Sequence, residues 1–372
     1  MGDGDAGRSS EAEARVLDGR AWGAFCDGLK RAGEVILREE TPATPFDRAE
    51  GFRYLTRLLR AGLESQLEYG DPRFPGFYQL SNETIKIGND NPDAFYQNCT
   101  ISGRHEYRIC GERGSVAYLS LGTKAGGYGS SGSLEPTGQI DGEELEIGPD
   151  GRFEIRVSCE RKPGNWLPMT PESSMLIVRQ TFADRSREDP ARLRIECLGD
   201  RVKAGLDPSE FEATLERVVA FVEGTANGFA NWMQDYARHP NQLPSDDQAK
   251  CQQAGGDANI HYLQSCWRLE ADEALVIEAK RIPECTGWNF QVSNYWMESL
   301  DYRYHRIHLN QHTASYQEDG SVRMVVAHAD PGPAWPNWLE TAGHRQGGML
   351  FRWVGAEEHP AVDTRVVPFS EL

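Results

Sequence analysis

The sequence has few basic residues for its size and no long apolar run. Its 372 residues include 39 Lys and Arg against 57 Asp and Glu, which gives a formal net charge of -18. Binding to phosphate backbones needs concentrated Lys and Arg, so we expect no nucleic-acid partner and no anionic membrane surface. No stretch of about 18 consecutive apolar residues occurs, so no membrane-spanning helix is predicted.

The short motifs of common cofactor and metal sites are also missing. There is no phosphate-binding loop, no Gly-x-Ser-x-Gly turn and no His-Glu-x-x-His helix. None of the eight cysteines forms a Cys-x-x-Cys pair or a zinc-finger grouping with histidine. We therefore predict no metal, no cofactor, and buried free thiols in a reducing cytoplasm.

Helical signals dominate the first part of the chain. Residues 1–19 are small, polar and acidic without the features of a signal peptide, and we interpret them as a disordered tail. Residues 20–75 read as helices, one of them with Thr44 as N-cap, Pro45 at its first position and Asp47 in its first turn. The apolar face of that helix is expected to pack on the following β-module.

The rest of the chain divides into two β-rich parts joined by a helix. Short β-branched and aromatic runs separated by Gly, Asn, Asp and Pro predict a first β-module at residues 76–202 and a second at 259–372. A helix is predicted from Asp207, with a break near Gly224 and Gly228, within a connecting segment at 203–258. The five glycines between residues 122 and 132 indicate a mobile loop.

The two modules share a repeated pattern around the tripeptide Asn-Trp-Leu. It occurs at residues 165–167 and 337–339, after a Gly turn and an apolar run, and before a second apolar run that ends on Arg179 or Arg352. The repeat predicts an internal duplication in which Trp166 and Trp338 are equivalent and buried. The predicted fold class is mainly β with helical additions: two related jelly-roll or β-sandwich modules, N-terminal helices and a connecting helix.

The segment 288–302 has the densest grouping of rings and amides. Alternation along a strand places Trp288 and Phe290 on one face, and Asn289 and Gln291 on the other. Two interpretations stay open: a well-packed sandwich core, or the wall of a ligand pocket with neutral polar groups that fix orientation.

Histidines supply the remaining candidates. His308 and His312 lie about 13 Å apart on one predicted strand, too far apart to share a metal ion. His328 and Asp330 point the same way on an extended segment, as an acid–base pair would, although Asp-Pro-Gly is also a turn signal. The first copy of the repeat lacks this His and Asp, so they are better candidates for function than the shared Asn-Trp-Leu.

Residues 288–353 resemble a bacterial family known only as domain of unknown function number twelve-fourteen. The resemblance rests on Leu309-Asn310, Asp319-Gly320-Ser321, His328 with Asp330-Pro331-Gly332, Asn337-Trp338-Leu339 and Gly343-His344. The chain departs from the family pattern at Glu340, where the family has Asp. The resemblance implies a jelly-roll-like architecture and supplies no reaction.

These observations favour a cytoplasmic enzyme that acts on a lipophilic terpenoid, steroid or aromatic molecule by metal-free acid–base chemistry, as a lyase, hydrolase or isomerase. Two alternatives stay open: a non-catalytic carrier for such a ligand, and a structural protein that uses its sheet faces for assembly. Whether the protein forms homo-oligomers also stays open. The predicted catalytic residues are His328, Asp330 and His344. The predicted ligand-binding residues are Trp288, Asn294, Tyr295, Trp296, Asp301, Asn310 and Arg352.

Overall fold

A computed structural model describes residues 3–128, 133–199 and 206–372, with side chains from residue 10 onward. The helices are α1 (Asp3–Leu17), α2 (Arg20–Gly33), α3 (Pro45–Leu63), α4 (Pro208–Tyr236) and α5 (Gln248–Gln253). Short 3-10 turns at Glu34–Leu37 and Phe369–Glu371 and a π-helical turn at Glu64–Glu68 complete the helical part. No helix in these described ranges is long and apolar enough to cross a membrane.

The N-terminal region differs from the predicted disordered tail. Helix α1 packs against α4, where Arg15 Nε lies 2.7 Å from Glu212 Oε1. The start of α3 is as predicted, because the Thr44 side chain accepts a hydrogen bond from the Asp47 N–H. Helix α4 also begins as predicted, at Asp207, but it runs unbroken past Gly224 and Gly228 to Tyr236. Apolar packing along this helix outweighs the low helix propensity of its glycines.

Sixteen strands in the described ranges make up the two modules. The first module has β1 (Ala94–Thr100), β2 (Tyr107–Glu112), β3 (Tyr118–Gly126), β4 (Leu134–Asp141), β5 (Arg152–Ser158), β6 (Trp166–Pro168), β7 (Ser173–Thr181) and β8 (Arg192–Cys197). The second has β9 (Ile260–Arg268), β10 (Glu273–Ala279), β11 (Gly287–Val292), β12 (His308–Asn310), β13 (Val322–Ala327), β14 (Trp338–Glu340), β15 (Gln346–Val354) and β16 (Asp363–Pro368). The predicted glycine-rich loop begins inside β3, and residues 129–132 lie outside the described ranges.

Sheet topology agrees with the predicted duplication. The sheet orders are β1-β7-β3-β4 and β6-β5-β2-β8 in the first module, and β9-β15-β11-β12 and β14-β13-β10-β16 in the second. Each strand therefore has a counterpart eight positions later with the same neighbours. The counterparts β6 and β14, which carry Asn-Trp-Leu, both pair in parallel with the preceding long strand. Antiparallel pairing dominates elsewhere, so this shared exception strengthens the equivalence.

Trp166 and Trp338 are equivalent but only half-buried, which corrects the prediction that both are buried. Each indole N–H instead donates to a backbone carbonyl at the end of the neighbouring strand, Ser158 at 3.3 Å and Ala327 at 3.2 Å. An indole has a polar edge, so it fits the margin of a sandwich as well as its centre.

Each sandwich has its own apolar core, and a third core joins the helices to both modules. The second-module core contains Trp288 and Phe290, and the third core contains Tyr54 of α3 with Tyr295 and Trp296 of the second module. The expected packing of α3 on the first module alone is therefore incomplete. Helix α3 also lies on the loop that follows β11.

Candidate functional site

The predicted catalytic histidine His328 has structural partners. Its Nδ1 lies 2.8 Å from Thr341 Oγ1 and its Nε2 lies 3.4 Å from the carbonyl oxygen of Leu269. Asp330 is exposed and accepts a hydrogen bond at 2.8 Å from the N–H of Gly332. The Asp-Pro-Gly segment thus forms the turn that its sequence also allowed.

His344 faces the N-terminal helices. Its ring packs at 4.8 Å, between centroids, against Phe46 of α3, and its Nε2 lies 3.8 Å from Glu50 Oε2. Nearby, the Asn294 side chain organises the loop after β11 by accepting the N–H groups of Trp296 and Glu298. These residues attach the second module to α3.

The other predicted ligand residues are dispersed. Trp288 stacks on Phe351 in the sandwich core. Hydrogen bonds and the positive charge of Arg303 lower the pKa of Asp301 to about 2. Asn310 is buried and donates to the carbonyl oxygen of Ala183 at 3.2 Å.

The prediction that these residues line one cavity is wrong. The aromatic face of β11 is used for core packing, and His328, Asp330 and His344 fix turns and helix contacts. A catalytic role for those three side chains stays a prediction. Of the ten predicted residues, Trp288 and Asn310 line a small space of about 40 Å³ between the modules, and Arg352 lines a larger cavity between them.

This intermodule cavity has a volume of about 110 Å³ and lies where the β1-β7-β3-β4 sheet meets the β9-β15-β11-β12 sheet. Its polar lining includes Asp90 and two matched pairs of residues from the two copies. Tyr96 is the pairing partner of Arg179 in the first module, and Tyr262 is the partner of Arg352 in the second. Duplication has therefore placed two arginines and two tyrosines around one space, on an approximate two-fold relationship.

Arg352 is buried and its direct hydrogen-bond partners are neutral, while the carboxylate of Asp90 lines the same cavity. Nη1 donates to Gln291 Oε1 at 2.6 Å and to Asn289 Oδ1 at 3.2 Å, and Nη2 donates to the carbonyl oxygen of Asn89. Among the described residues, no carboxylate lies within ion-pair distance of it. Burial lowers the pKa of Arg352 more than Tyr96, Tyr262, Asp90 and Asp93 raise it.

Arg179 occupies the matching position with a different balance of charge. Its Nη2 donates to the carbonyl oxygen of Gly255, and its Nη1 lies 3.8 Å from Asp257 Oδ2. Burial is the largest single effect and lowers the pKa of Arg179, but the charge of Asp257 together with Tyr262, Tyr96 and Tyr128 raises that pKa overall. Lys124 lies close by, where burial and Arg179 lower its pKa to about 8.

The two tyrosine hydroxyls are prepared to donate into the cavity. Tyr96 accepts the Asn91 N–H at 3.0 Å, and Tyr262 accepts the Asp257 N–H at 2.9 Å. For the hydroxyl protons, the described ranges show no acceptor. Burial raises the pKa of both phenols, so they stay neutral and keep those protons. The Asn89 Oδ1 atom, buried beside the cavity, also has no hydrogen-bond partner among the described residues.

A wider cleft of about 810 Å³ lies on the outer side of Tyr96 and contains the histidine-rich strand β12. There His308 Nε2 lies 3.2 Å from Asp93 Oδ1, and Asn310 and His312 line the same cleft. In the described part of the chain, no group of three or more His, Cys, Asp or Glu side chains is arranged to hold a metal ion.

The sequence contained part of the signal for the intermodule cavity. The amide-rich face of β11 was recognised, and Tyr96, Tyr262, Arg179 and Arg352 were each visible in the repeat. The sequence did not predict that the two arginines line one cavity. The pattern within one module does not show which of its faces contacts the other module.

The fold and this cavity define a duplicated β-sandwich protein with a helical cover. Residues 268–358 match the family model described as Protein of unknown function (DUF1214), in the segment where the resemblance was predicted. An uncharacterized protein from Burkholderia cenocepacia, known from a crystal structure, is 50% identical, with a TM-score of 0.94, over 97% of this chain and 100% of that chain. This chain therefore belongs to that bacterial family of unknown function.

A more distant structure shows the same fold alone. A structural-genomics target protein from Vibrio parahaemolyticus has a TM-score of 0.50 at 11% identity, over 85% of this chain and 98% of that chain. No curated protein matches the chain.

Proposed function

We propose that this protein binds a small molecule through an anionic group held by Arg352 in the intermodule cavity. The observation that carries the proposal is a buried guanidinium with no carboxylate within ion-pair distance among the described residues. An unpaired buried charge is costly, and proteins avoid it by pairing or by shifting a pKa. Arginine rarely loses its proton, so an anionic ligand is the natural partner.

The hydrogen bonds of Arg352 leave a defined pair of donors. A guanidinium has five N–H groups. Two on Nη1 and one on Nη2 have partners, which leaves the Nε–H and one Nη2–H. A guanidinium uses donors of this kind to bind the oxygens of a carboxylate. The neutral hydroxyls of Tyr96 and Tyr262 add donors without adding charge.

The remaining lining suits a compact apolar body. Ile177, Leu350 and Phe229 contribute apolar surface to the same cavity. A dry apolar cavity of about 150 Å³ holds benzene in another protein, so about 110 Å³ accommodates a ligand smaller than benzene, such as acetate or propionate. The ligand class is therefore a small lipophilic acid, which narrows the lipophilic molecule predicted from sequence.

Binding is the first proposal, and catalysis at His328, Asp330 and His344 is the second. Binding ranks first because Arg352 and the tyrosine hydroxyls have donors without partners, whereas His328 has hydrogen-bond partners on both ring nitrogens. A cytoplasmic location is part of the proposal. It is supported by eight cysteines that form no disulfide, all of them within the described ranges.

The test combines native mass spectrometry of the purified protein with calorimetric titration of acetate, propionate and benzoate. We expect saturable binding that Arg352→Met weakens by at least about thirtyfold, since removing one partner of a buried charged pair costs roughly 2–5 kcal/mol. Arg365→Met, on the exposed strand β16, is the matched control and should bind normally. Equal binding by wild type and Arg352→Met, or no binding of any acid, would contradict the proposal.

A further inference from the structure

We infer that the intermodule cavity binds one monocarboxylate per chain, beside Arg352. Beside Arg179, the carboxylate of Asp257 already fills the corresponding position. Beside Arg352, that position is held by the uncharged side chain of Asn91. This inference rests on the proposed function and adds to it the stoichiometry, the ligand charge and the residue pair that decides both.

Asn91 and Asp257 are counterparts in the duplication. Each lies five residues before its cavity tyrosine and donates its backbone N–H to that hydroxyl. Each side chain also accepts the N–H two residues further on, Asp93 for Asn91 and Asn259 for Asp257, at 3.0 Å in both cases. The backbone is thus the same in the two copies, and the difference lies in the side-chain charge.

The contacts of these side chains cross between the modules. Asp257 leads into the second module but accepts a hydrogen bond at 2.9 Å from Ser120 of the first. Asn91 leads into the first module and accepts one at 2.6 Å from Asn289 of the second. Ser120 pairs with Arg179, and Asn289 pairs with Arg352. Asp257 therefore shows how the protein holds a carboxylate beside its cavity arginine. Asn91 takes that position without a charge, and Asp93, two residues on, lies 3.4 Å from Asn289 Nδ2 but outside ion-pair distance of Arg352.

The charges around Arg352 favour a monoanion over a dianion. Asp90 accepts the N–H and the hydroxyl of Ser299, and the Lys86 ammonium donates to the same hydroxyl. Asp93 faces His308 at 3.2 Å. Neither carboxylate lies within ion-pair distance of Arg352, but both raise its pKa through their charge. A phosphate dianion would place two charges against one guanidinium in this acidic setting, so a carboxylate fits better.

The decisive variant is Asn91→Asp, which gives the second half the internal carboxylate of the first. We expect acetate binding to weaken at least thirtyfold and the melting temperature of the unliganded protein to rise, because Arg352 gains an ion-pair partner. Asn231→Asp is the matched control. Asn231 is exposed on α4 and accepts a hydrogen bond from Arg38 at 2.8 Å, so the variant places the same charge beside an arginine at the surface. Acetate binding by the control should be unchanged.

A reciprocal variant gives a second readout. Asp257→Asn removes the internal carboxylate, and we expect calorimetry to show two equivalents of acetate per chain instead of one. Inorganic phosphate should bind the wild type at least tenfold more weakly than acetate. If Asn91→Asp does not fold, the stoichiometry of Asp257→Asn decides.

The outcomes separate the two proposals. Wild type that binds no carboxylate overturns both. If the wild type binds one equivalent, Arg352→Met abolishes binding and Asn91→Asp still binds normally, this inference is overturned and the proposed function stands. Two equivalents of acetate in the wild type, a single equivalent in Asp257→Asn, or phosphate binding equal to that of acetate also overturns the inference.

Discussion

Asn337 connects three backbone groups of the second module. Its Oδ1 accepts the Ser315 N–H, and its Nδ2 donates to the carbonyl oxygens of Ser315 and Arg323. Asn165 makes the same three contacts in the first module, with Glu146 and Glu154 in those places. The amide therefore fixes a loop against a strand in each copy, and its role is architectural.

We expect Asn337→Ala and Asn165→Ala each to lower the free energy of unfolding by about 1–3 kcal/mol, because each variant loses three hydrogen bonds that tie a loop to a strand. Urea unfolding followed by circular dichroism measures the change. Acetate affinity should stay the same for both variants, since neither residue lines the intermodule cavity. An unchanged unfolding midpoint in both variants would show that these two amides do not stabilise the fold.

At the residue scale, prediction from sequence succeeded where one residue acts on its own surroundings. The hydrogen-bonding role of Asn337, the N-cap at Thr44 and the alternation along β11 are local properties, and each was recognisable. The partners of Arg352 were not, because Gln291 comes from a neighbouring strand and Asn89 from the other module. Hydrogen bonds between residues that are far apart in the chain produce no regular spacing in the sequence from which they could be predicted.

At the element scale, helix α3 approaches the second module through a glycine. A Cβ atom at Gly51 would lie 2.8 Å from the ring of Trp296 and 2.7 Å from Ile36. Trp296 is fully buried, and its ring lies 6.2 Å from that of Tyr54 on the same helix. Gly51 therefore sets how closely α3 packs on the loop after β11. The sequence predicted helix α3 and its N-cap. It did not predict that α3 packs on the loop after β11, because that contact depends on the position of Trp296 in the fold.

Gly51→Ala should destabilise the protein by about 1–3 kcal/mol, because the added methyl group overpacks a filled contact. Gly228→Ala is the control within another helix. That glycine is exposed in α4 and has no atom within 4 Å of an added Cβ, so the variant should gain about 0.5–1 kcal/mol. Thermal unfolding of the two variants should shift in opposite directions. A stabilised Gly51→Ala would mean that α3 has room to move.

At the scale of the whole molecule, the modules exchange the segments that precede their first strands. The segment before β1 contacts the second module, where Gln291 donates to the carbonyl oxygen of Asp90 and Asn89 donates to that of Met297. The segment before β9 contacts the first module, where Lys124 donates to the carbonyl oxygen of Gly256. Duplication was readable from sequence, but this exchange was not, since equivalent segments look the same whichever module they contact.

The exchange predicts that neither module folds alone. A fragment of residues 259–372 lacks Asn89 and Asp90, so Arg352 and Gln291 lose these partners and the sheet face that meets the first module is exposed to water. We expect this fragment and residues 76–199 to unfold without a cooperative transition in urea, whereas the full chain shows one. A division between residues 199 and 206 keeps both exchanged segments, so the two halves, when co-expressed, should associate and recover acetate binding. Cooperative unfolding of the isolated second module would show that the exchanged segments are accessory, and that its core around Phe351 is sufficient for folding.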